Sequence, residues 1–287
     1  MKCFYHNDMD GRCAAALVAY YTGLRSPEDY FEVDYRNSLP IDSVQDGETV
    51  YIVDYSFTVN TVNKLRELWS MGCEIVWIDH HASSIKLQST YQYEWVRYIN
   101  GIRDNSLSGA ALTYAWFKNA GNINYLNLPK FIQYVDDYDR WVYKLGEETT
   151  HFKLGLEVLD FDALAPVWEE LIDSEYRLES IIYHGSIIKK YIDRDNEFYL
   201  STYGYESRLM DIPCYVVNKK CNSWIFGEKI NVYPIVAVWA FDGEKYSYSI
   251  YSNDPEVDCS KIAESFGGGG HPGAAGFTSD TLLLRKY

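Results

Sequence analysis

The stretch that most constrains the fold of this chain is residues 74–81, Glu-Ile-Val-Trp-Ile-Asp-His-His. Its apolar run predicts a short buried strand. The strand delivers Asp79, His80 and His81 to its carboxyl end, which is where open parallel sheets place their binding sites. Taken alone, the triplet has an ordinary structural explanation, because one histidine could lie in a core and the other on the surface. Other segments decide between these alternatives.

Two further segments repeat the pattern. A short apolar run ends in His6, and Asp8 and Asp10 follow it at two-residue steps. A second apolar run ends at Asp54. Three strands that each end in Asp or His are rarely a structural accident, so we expect these side chains to converge on a cation. Imidazole and carboxylate ligands together suit Mn²⁺, Zn²⁺ or Fe²⁺ better than Ca²⁺.

The order of predicted elements indicates an α/β protein with two domains. Residues 1–160 alternate apolar strands with helical patterns, which predicts a parallel sheet with helices on both faces. Residues 161–197 have helical character and no flexible linker composition, which predicts a helical connector. Residues 198–287 are rich in Tyr and Val and predict a smaller second α/β domain. The predicted strands lie near 2–6, 30–35, 49–54, 74–79, 93–99, 212–217, 232–240 and 245–252, and the predicted helices near 10–22, 58–71, 106–119 and 261–266.

The charge distribution argues against one class of partner. Residues 1–197 contain 18 basic and 31 acidic residues, and residues 198–287 contain 8 and 10. A protein that binds long nucleic acids without sequence preference needs a basic surface that displaces counterions. Neither part of this chain has a basic excess. We therefore expect a short nucleotide substrate and no stable binding of long nucleic acids.

Cysteine usage and hydropathy bear on the cellular compartment. The six cysteines form no CxxC pair and no disulfide-like spacing, which is typical of reduced thiols. No apolar run approaches the roughly 20 residues that span a membrane. The sequence begins directly with a predicted strand and shows no secretory signal. We therefore expect a cytoplasmic protein that does not associate with membranes.

A run of four glycines followed by a histidine occupies residues 267–271. One interpretation is a flexible surface turn. The other is a backbone that approaches an anionic ligand closely, so that the amides of Gly268, Gly269 and Gly270 bind phosphate and His271 adds a donor. The residues themselves leave both interpretations open.

The three strand-end motifs together resemble the DHH phosphoesterase superfamily, and residues 267–276 resemble the signature of its DHHA1 companion domain. The resemblance covers nearly the whole chain. It implies a parallel-sheet DHH domain, a smaller α/β DHHA1 domain and an active site in the cleft between them. It also implies two divalent metal ions, with Mn²⁺ as first choice and Mg²⁺ or Co²⁺ as alternatives.

The resemblance also implies a set of metal ligands, including a fourth aspartate near the end of the helical pattern at 128–141. The pattern Asp-x-Asp-x-Trp at 137–141 is similar to that of nanoRNase-type members. It favours Asp137 as the fourth ligand, with Asp136 as the rival. The expected ligands are His6, Asp8 and Asp54 for one ion, and Asp10, Asp54, His80 and Asp137 for the other.

Catalytic and substrate-binding roles follow from the same resemblance. Asp54 is expected to bridge the two ions. His81 is expected to donate a proton to a phosphoryl oxygen or to the leaving group, and Asp79 to orient a ligand histidine. Tyr251 stands in a strand where many relatives carry an arginine, and it is expected to stack on a base near the glycine run.

The expected function is a metal-dependent phosphodiesterase that hydrolyses short oligoribonucleotides to mononucleotides. The alternatives within the same superfamily are a linear or cyclic dinucleotide phosphodiesterase, a 3′-phosphoadenosine phosphatase and a RecJ-type single-strand exonuclease. A non-enzymatic alternative is a nucleotide-binding regulator with an inactive site. Nothing in the sequence decides the oligomeric state.

Overall fold

The structure is a computed structural model that describes residues 1–36, 39–118 and 127–286. Its contacts divide the chain into two compact units, Met1–Lys189 and Lys190–Tyr287. Each unit has its own sheet and its own hydrophobic core.

The first unit contains a parallel sheet of four strands in the order β2-β1-β3-β4. The strands are β1 (Lys2–His6), β2 (Tyr30–Val33), β3 (Thr49–Val53) and β4 (Glu74–Ile78). The helices are α1 (Met9–Thr22), α2 (Val62–Ser70), α3 (Ala82–Ser89), α4 (Gly109–Phe117), α5 (Lys130–Asp139), α6 (Glu147–Glu157), α7 (Pro166–Asp173) and α8 (Glu175–Tyr203), the last of which continues into the second unit.

Both faces of this sheet are covered, because successive strand residues point to opposite sides. In β1, Cys3 and Tyr5 pack with α1, α4 and α5, whereas Phe4 packs with α2 on the other face. In β4, Trp77 is fully buried on the α2 face. Burying a side chain of this kind stabilises the fold by about 1.5–3 kcal/mol. Two covered faces explain why these strands have near-continuous apolar sequences rather than alternating ones.

Helix α1 lies directly behind the edge of the sheet where the strand-end motifs lie. Asp8 caps its N-terminus by accepting a hydrogen bond from the backbone N–H of Gly11 at 2.9 Å. The helix ends at Gly23, which is left-handed with a φ of 70° and donates its N–H to the carbonyl of Ala19. The cap and the C-terminal glycine are the usual helix boundary residues. The cap at Asp8 fixes the start of α1 at Met9, three residues after His6.

The predicted strand near 93–99 is wrong, because Tyr91–Tyr98 forms a 3₁₀ helix. Only Val96 of this segment is buried, so the alternating aromatic residues have no sheet face to cover. The chain meets β4 only afterwards, through isolated bridges at Asn100 and Arg103. Tertiary context has overridden strand propensity here. The end of the helix predicted near 106–119 lies outside the described residues.

The second unit contains a mixed sheet of six strands in the order β5-β6-β7-β8-β10-β9. Strands β6 and β7 are parallel, and the other neighbouring pairs are antiparallel. The elements are β5 (Gly204–Leu209), β6 (Ile212–Asn218), β7 (Ile235–Phe241), β8 (Tyr246–Tyr251), α9 (Cys259–Ser265), β9 (Gly269–His271) and β10 (Ala274–Ser279). The predicted α/β class of both parts of the chain is therefore confirmed.

All six cysteines are free thiols, and five of them are buried. Burial raises the pKa of the Cys259 thiol to about 11 and keeps it protonated. Within the described ranges, no helix combines the length and the apolar character that crossing a membrane requires.

Candidate metal centre

The candidate centre lies at the carboxyl edge of the parallel sheet, between the neighbouring strands β1 and β3. The helix after β1 covers one face of the sheet and the helix after β3 covers the other. Because the chain leaves β1 and β3 towards opposite faces of the sheet, a crevice forms between their carboxyl ends. α/β proteins bind their ligands in crevices of this kind. His6 ends β1, and Asp54 follows β3 directly. The topology therefore brings two of the predicted residues to one place.

His6 and Asp8 form the first part of the centre. The ring Nδ1 of His6 lies 2.6 Å from Oδ2 of Asp8. Burial acts to raise the pKa of Asp8, but the hydrogen bonds from His6 and from the Gly11 N–H outweigh it and lower the pKa. Gly11 must be a glycine, because a Cβ there would lie 2.2 Å from the carbonyl oxygen of His6. The loop is thus drawn tightly around the end of β1.

Asp54 lies at the middle of the centre. Its Oδ2 is 3.9 Å from Nδ1 of His6, and its Oδ1 is 3.2 Å from Nε2 of His80. The residue is 1% exposed, and neither carboxylate oxygen has a hydrogen-bond partner among the described residues. Burial and the neighbouring carboxylates, Asp10 first among them, raise its pKa well above the ordinary value.

The backbone of Asp54 is also unusual. Its φ of 53° places it in the left-handed region. That conformation costs a residue with a Cβ about 1–2 kcal/mol, and Asp and Asn tolerate it best. Its N–H still pairs with the carbonyl of Ile78 at 2.9 Å, which holds the turn against β4. A strained backbone that carries a buried carboxylate without hydrogen-bond partners is typical of a functional site.

Asp10 is held by the N-terminus of helix α4. Its carboxylate accepts hydrogen bonds from the N–H groups of Gly109 at 2.6 Å and Ala110 at 2.9 Å. The first turn of a helix stabilises a negative charge in this way. A Cβ on Gly109 would lie 2.7 Å from Cβ of Asp54 and 3.0 Å from Oδ2 of Asp10. Gly109 therefore lets α4 approach both carboxylates. Burial still raises the pKa of Asp10.

His80 lies among three carboxylates. Its Nε2 is 3.2 Å from Oδ1 of Asp54, 3.3 Å from Oδ2 of Asp139 and 3.9 Å from Oδ2 of Asp10. The Oδ2 of Asp139 is buried and has no hydrogen-bond partner among the residues that the structure describes. Burial and the charges of Asp10 and Asp8 raise the pKa of Asp139 to about 9.

The structure does not bring Asp137 into this group. The carboxylate of Asp137 accepts hydrogen bonds from the N–H of Lys144 at 2.7 Å, from the N–H of Leu145 at 3.0 Å and from the Thr149 hydroxyl. It therefore braces the chain after α5 and contacts the first turn of α6 through Thr149. The side chain that reaches His80 belongs to Asp139, two residues later.

The rival residue Asp136 lies beside the centre rather than in it. It accepts a hydrogen bond from the N–H of Ser108 at 2.6 Å and lies 3.3 Å from Nη1 of Arg140. Asp136 and Asp139 are three residues apart on α5 and share a helix face, whereas Asp137 points elsewhere. The Asp-x-Asp-x-Trp pattern contains Asp139 as its second aspartate, so helical spacing was the signal that could have selected it.

The ligand atoms fit a divalent metal. Three overlapping groups each have one possible ligand atom per residue within 4.8 Å of the others, and Asp54 belongs to two of them. Burying a carboxylate without hydrogen bonds is costly unless the group is protonated or paired with a cation. The mixture of imidazole nitrogen and carboxylate oxygen suits a transition metal such as Mn²⁺. The groups are His6, Asp8 and Asp54; Asp10, His80 and Asp139; and Asp54, His80 and His81.

His81 is oriented by Asp79. Its Nδ1 lies 2.7 Å from Oδ1 of Asp79, and the other oxygen of Asp79 accepts a hydrogen bond from the hydroxyl of Ser84. Burial alone would lower the pKa of His81, but the hydrogen bond to Asp79 and its charge outweigh burial and raise the pKa. Asp79 thus orients His81, not His80, and favours the protonated form of the ring.

Tyr35 is a residue of the centre that the sequence pattern did not reveal. Its ring lies 5.1 Å from the ring of His6 and 6.4 Å from that of His81, and it stacks on Tyr55 at 5.1 Å. Its hydroxyl accepts a hydrogen bond from the N–H of Ser56 at 3.2 Å. Its place in the sequence could have indicated this residue, because Tyr35 follows closely after β2, as Asp54 follows after β3.

The glycine run of the second unit is more ordered than a surface turn. The N–H groups of Gly267 and Gly268 donate to the carbonyls of Glu264 and Ala263 at the end of α9. Gly269, Gly270 and His271 form strand β9, which is exposed. The amide of Gly268 is therefore already used, and phosphate binding by the remaining glycine residues stays a prediction.

Tyr251 and His271 are brought together by the sheet of the second unit. Tyr251 in β8 and His271 in β9 both pair with Ala274 of the strand between them. Directly paired residues of antiparallel strands project on the same face. Two strand spacings of about 4.8 Å separate the pair. The tyrosine and the histidine thus lie in one row across one face of the sheet.

Comparison with known proteins gives distant relatives. No protein-family model matches the sequence. The chain is 27% identical over 301 residues to an uncharacterized protein of Acanthamoeba polyphaga mimivirus, a match that covers 93% of this chain and 64% of the relative. It is 21% identical over 299 residues to the oligoribonuclease NrnB of Bacillus subtilis strain 168, a match that covers 95% of this chain and 71% of NrnB. The chain therefore spans less than two thirds of the mimivirus protein.

Two solved structures share the fold. The pGpG-specific phosphodiesterase PggH from Vibrio cholerae superposes with a TM-score of 0.58 at 13% identity, over 98% of this chain and 94% of PggH. The DHH domain of a member of a family of ribosomal proteins superposes with a TM-score of 0.54 at 16% identity, over 96% of this chain and 81% of that one. The chain shares the fold of these two structures. Its DHH triplet is Asp79, His80 and His81, and the resemblance stated from the sequence is confirmed.

Proposed function

We propose that this chain is a metal-dependent phosphodiesterase that hydrolyses short oligoribonucleotides to mononucleotides. The observation that carries the proposal is Asp54, whose two buried carboxylate oxygens have no hydrogen-bond partner among the described residues and lie between two groups of ligand atoms. A carboxylate in that position can bridge two cations. The proposed ligands are His6, Asp8 and Asp54 for one ion, and Asp10, Asp54, His80 and Asp139 for the other.

The chemistry divides between the ions and the protein. Two divalent ions held by these ligands would activate a water molecule and offset the negative charge that develops at phosphorus and the leaving oxygen. Asp54 holds the two ligand groups at a fixed spacing. The N–H groups of Gly109 and Ala110 fix Asp10. Asp79 holds His81 so that its ring can donate a proton to the leaving oxygen.

The ligand set favours Mn²⁺ as the working metal, with Mg²⁺ and Co²⁺ as comparators. Two imidazoles are among the proposed ligands, His6 and His80. Mg²⁺ prefers oxygen ligands, whereas first-row transition metals accept nitrogen and oxygen together. We therefore expect higher turnover with Mn²⁺ than with Mg²⁺ at equal occupancy. The free thiols are compatible with a reducing compartment, and we propose the cytoplasm.

The substrate is proposed to be short because the chain lacks the means to hold a long strand. Its formal net charge is −15, and basic residues are outnumbered in both parts of the sequence. Without basic contacts, additional phosphates add little affinity. Aromatic side chains can instead hold one or two bases by stacking. The relative NrnB is an oligoribonuclease, which supports this substrate class.

A linear dinucleotide is the second candidate substrate. It is favoured by the row formed by Tyr251 and His271, which offers one aromatic ring and one donor rather than an extended surface. The fold shared with PggH, a phosphodiesterase specific for pGpG, agrees with this candidate. Both candidates require the same metal centre and differ only in the number of nucleotides that the chain accommodates.

The test is a set of time courses with end-labelled oligoribonucleotides of 2 to 24 nucleotides in Mn²⁺. Linear and cyclic dinucleotides and 3′-phosphoadenosine 5′-phosphate are assayed beside them. We expect mononucleotide release that is fastest for the shortest strands and absent in the Asp54→Asn variant. Rapid digestion of the 24-mer alone favours the exonuclease alternative. Nucleotide binding without any turnover in saturating Mn²⁺ would refute the enzymatic proposal and favour the regulator.

A further inference from the structure

A large aromatic side chain lies exposed immediately beyond the candidate metal centre. Helix α5 ends at Asp139, and the chain then turns through residues 140–146, which we call the Trp141 turn. The side chain of Trp141 is 70% exposed, and that of Val142 is 49% exposed. Tryptophan gains more than most residues from burial and is usually highly buried. Its exposure here is not explained by packing within the chain.

The backbone of the turn is unfavourable. Trp141 and Tyr143 both lie in the left-handed region, with φ values of 55° and 50°. Bulky residues rarely adopt that conformation, because Cβ approaches the following carbonyl. The Tyr143 hydroxyl is also buried without a hydrogen-bond partner among the described residues. A strained segment of this kind persists only when its surroundings impose it, and such segments cluster at ligand-binding sites.

The surroundings that impose this conformation are identifiable. The carboxylate of Asp137 holds the far end of the turn through the N–H groups of Lys144 and Leu145. The Trp141 N–H donates to the carbonyl of Tyr138 at 3.1 Å. The Trp141 ring lies 6.4 Å from the ring of Tyr138, nearly parallel to it, and 5.8 Å from that of Tyr143, edge to face. The indole is therefore exposed and fixed in orientation.

The Trp141 turn lies close to the candidate metal centre, because it follows Asp139 directly in the chain. Asp139 is two residues before Trp141, and its Oδ2 lies 3.3 Å from Nε2 of His80. Successive Cα atoms are about 3.8 Å apart, so the Cα of Trp141 lies within about 7.6 Å of that of Asp139. A substrate whose phosphodiester reaches the metal ligands has an adjacent nucleoside within reach of the indole.

We propose that Trp141 is a stacking platform for a nucleobase of the substrate. The inference rests on the proposed function, because it assigns a base-binding subsite to that same centre. A platform fixed before binding loses little side-chain freedom when the base arrives. Stacking on an indole is tolerant of base identity. The subsite should therefore require a base without selecting its sequence.

Two variants separate this role from a structural one. Trp141→Gly removes the ring and also relieves the left-handed backbone, so the variant should melt at a temperature no lower than the wild type. Trp141→Phe keeps an aromatic face. Trp69→Ala serves as a control for loss of a partly exposed tryptophan elsewhere, since Trp69 is 42% exposed and stacks on Trp95.

The assay compares a dinucleotide with an abasic analogue that has the same backbone and lacks one base. We expect Trp141→Gly to raise KM for the dinucleotide by roughly tenfold to a hundredfold, with kcat nearly unchanged. The KM for the abasic analogue should change less than about twofold, and Trp141→Phe should retain most of the affinity. An equal loss on both substrates, or a fall in melting temperature for Trp141→Gly, would overturn the proposal.

A binding experiment keeps this proposal separable from the enzymatic one. Adenosine monophosphate is titrated into the full chain in Mn²⁺ while tryptophan fluorescence is recorded. Quenching that is present in the wild type and lost in Trp141→Phe supports the platform, even if no oligoribonucleotide is hydrolysed. If oligoribonucleotides are hydrolysed but neither quenching nor KM depends on Trp141, the platform is refuted and the enzymatic proposal stands.

Discussion

The sharpest test of the metal centre is a matched pair of substitutions, Asp137→Asn and Asp139→Asn. Both variants replace a carboxyl group by an amide at positions two residues apart, and both preserve side-chain size. The structure gives them opposite surroundings. The carboxylate of Asp137 accepts three hydrogen bonds within the fold, whereas Oδ2 of Asp139 has no hydrogen-bond partner among the described residues.

The expected magnitudes follow from those surroundings. A hydrogen bond to a charged group contributes about 1.5–3 kcal/mol. In Asp137→Asn, the side-chain amide places its own N–H donors opposite the groups that donate to the carboxylate in the wild type, so hydrogen bonds are lost. We therefore expect the free energy of unfolding to fall by about 3 kcal/mol, which corresponds to a fall of roughly 6–12 °C in Tm. Asp139→Asn removes a carboxyl group whose ionisation is disfavoured by burial and by the neighbouring carboxylates. The Tm of this variant in EDTA should equal or exceed that of the wild type.

For the folded fraction of each variant, kcat/KM should fall more in Asp139→Asn than in Asp137→Asn, which is the reverse of the order expected for Tm. A ligand that holds a catalytic ion contributes several kcal/mol to the transition state, and each 1.36 kcal/mol is tenfold in rate. Asp139→Asn should therefore lose at least about 100-fold in kcat/KM and part of its bound metal. The folded fraction of Asp137→Asn should keep both ions. Measurements of Tm in EDTA, metal content and kcat/KM that rank the two variants the other way would refute the assignment of Asp139.

Three further outcomes follow from the same geometry. Asp54→Asn should leave a folded protein that retains at most one tightly held ion per chain, and metal analysis that finds two would exclude the bridging role. Gly109→Ala places a methyl group 2.7 Å from Cβ of Asp54 and should lower kcat/KM by about 100-fold, because the carboxylates are displaced; unchanged kinetics would contradict the close approach of α4. Since the pKa of Asp139 is raised to about 9, this group destabilises the metal-free fold increasingly as pH rises from about 4 towards 9. The gain in Tm of Asp139→Asn over the wild type in EDTA should therefore grow with pH across that window, and a gain that is constant with pH would contradict it.

Much of the first unit could be predicted because its strands carry two signals at once. Strands β1, β3 and β4 each have a largely apolar sequence, which indicates that both faces are covered, and each ends in or is followed directly by a residue with metal-binding chemistry. The carboxyl ends of parallel strands meet at one edge, so His6, Asp54 and His80 had to lie near one another. No knowledge of loop conformation was needed for that conclusion.

The remaining features depend on geometry that strand patterns do not encode. The choice between Asp137 and Asp139 is made by the direction of side chains around the last turn of α5, where one step of the helix rotates a side chain by about 100°. Tyr35 lies after a short strand and carries no ligand chemistry to draw attention to it. The segment Tyr91–Tyr98 alternates as a strand does, but among the described residues it pairs with no strand, and it forms a 3₁₀ helix.

The left-handed backbone of Asp54 restricts which residues evolution can place at this position. A glutamate offers the same charge, but it does not tolerate the left-handed conformation as well as Asp and Asn do. Glycine relaxes the backbone and supplies no oxygen, and asparagine keeps the backbone but exchanges one oxygen for a donor. Homologues that have abandoned catalysis while keeping the fold should therefore carry Asn or Gly at this position, and such a residue would be a practical marker for sorting inactive descendants from active enzymes.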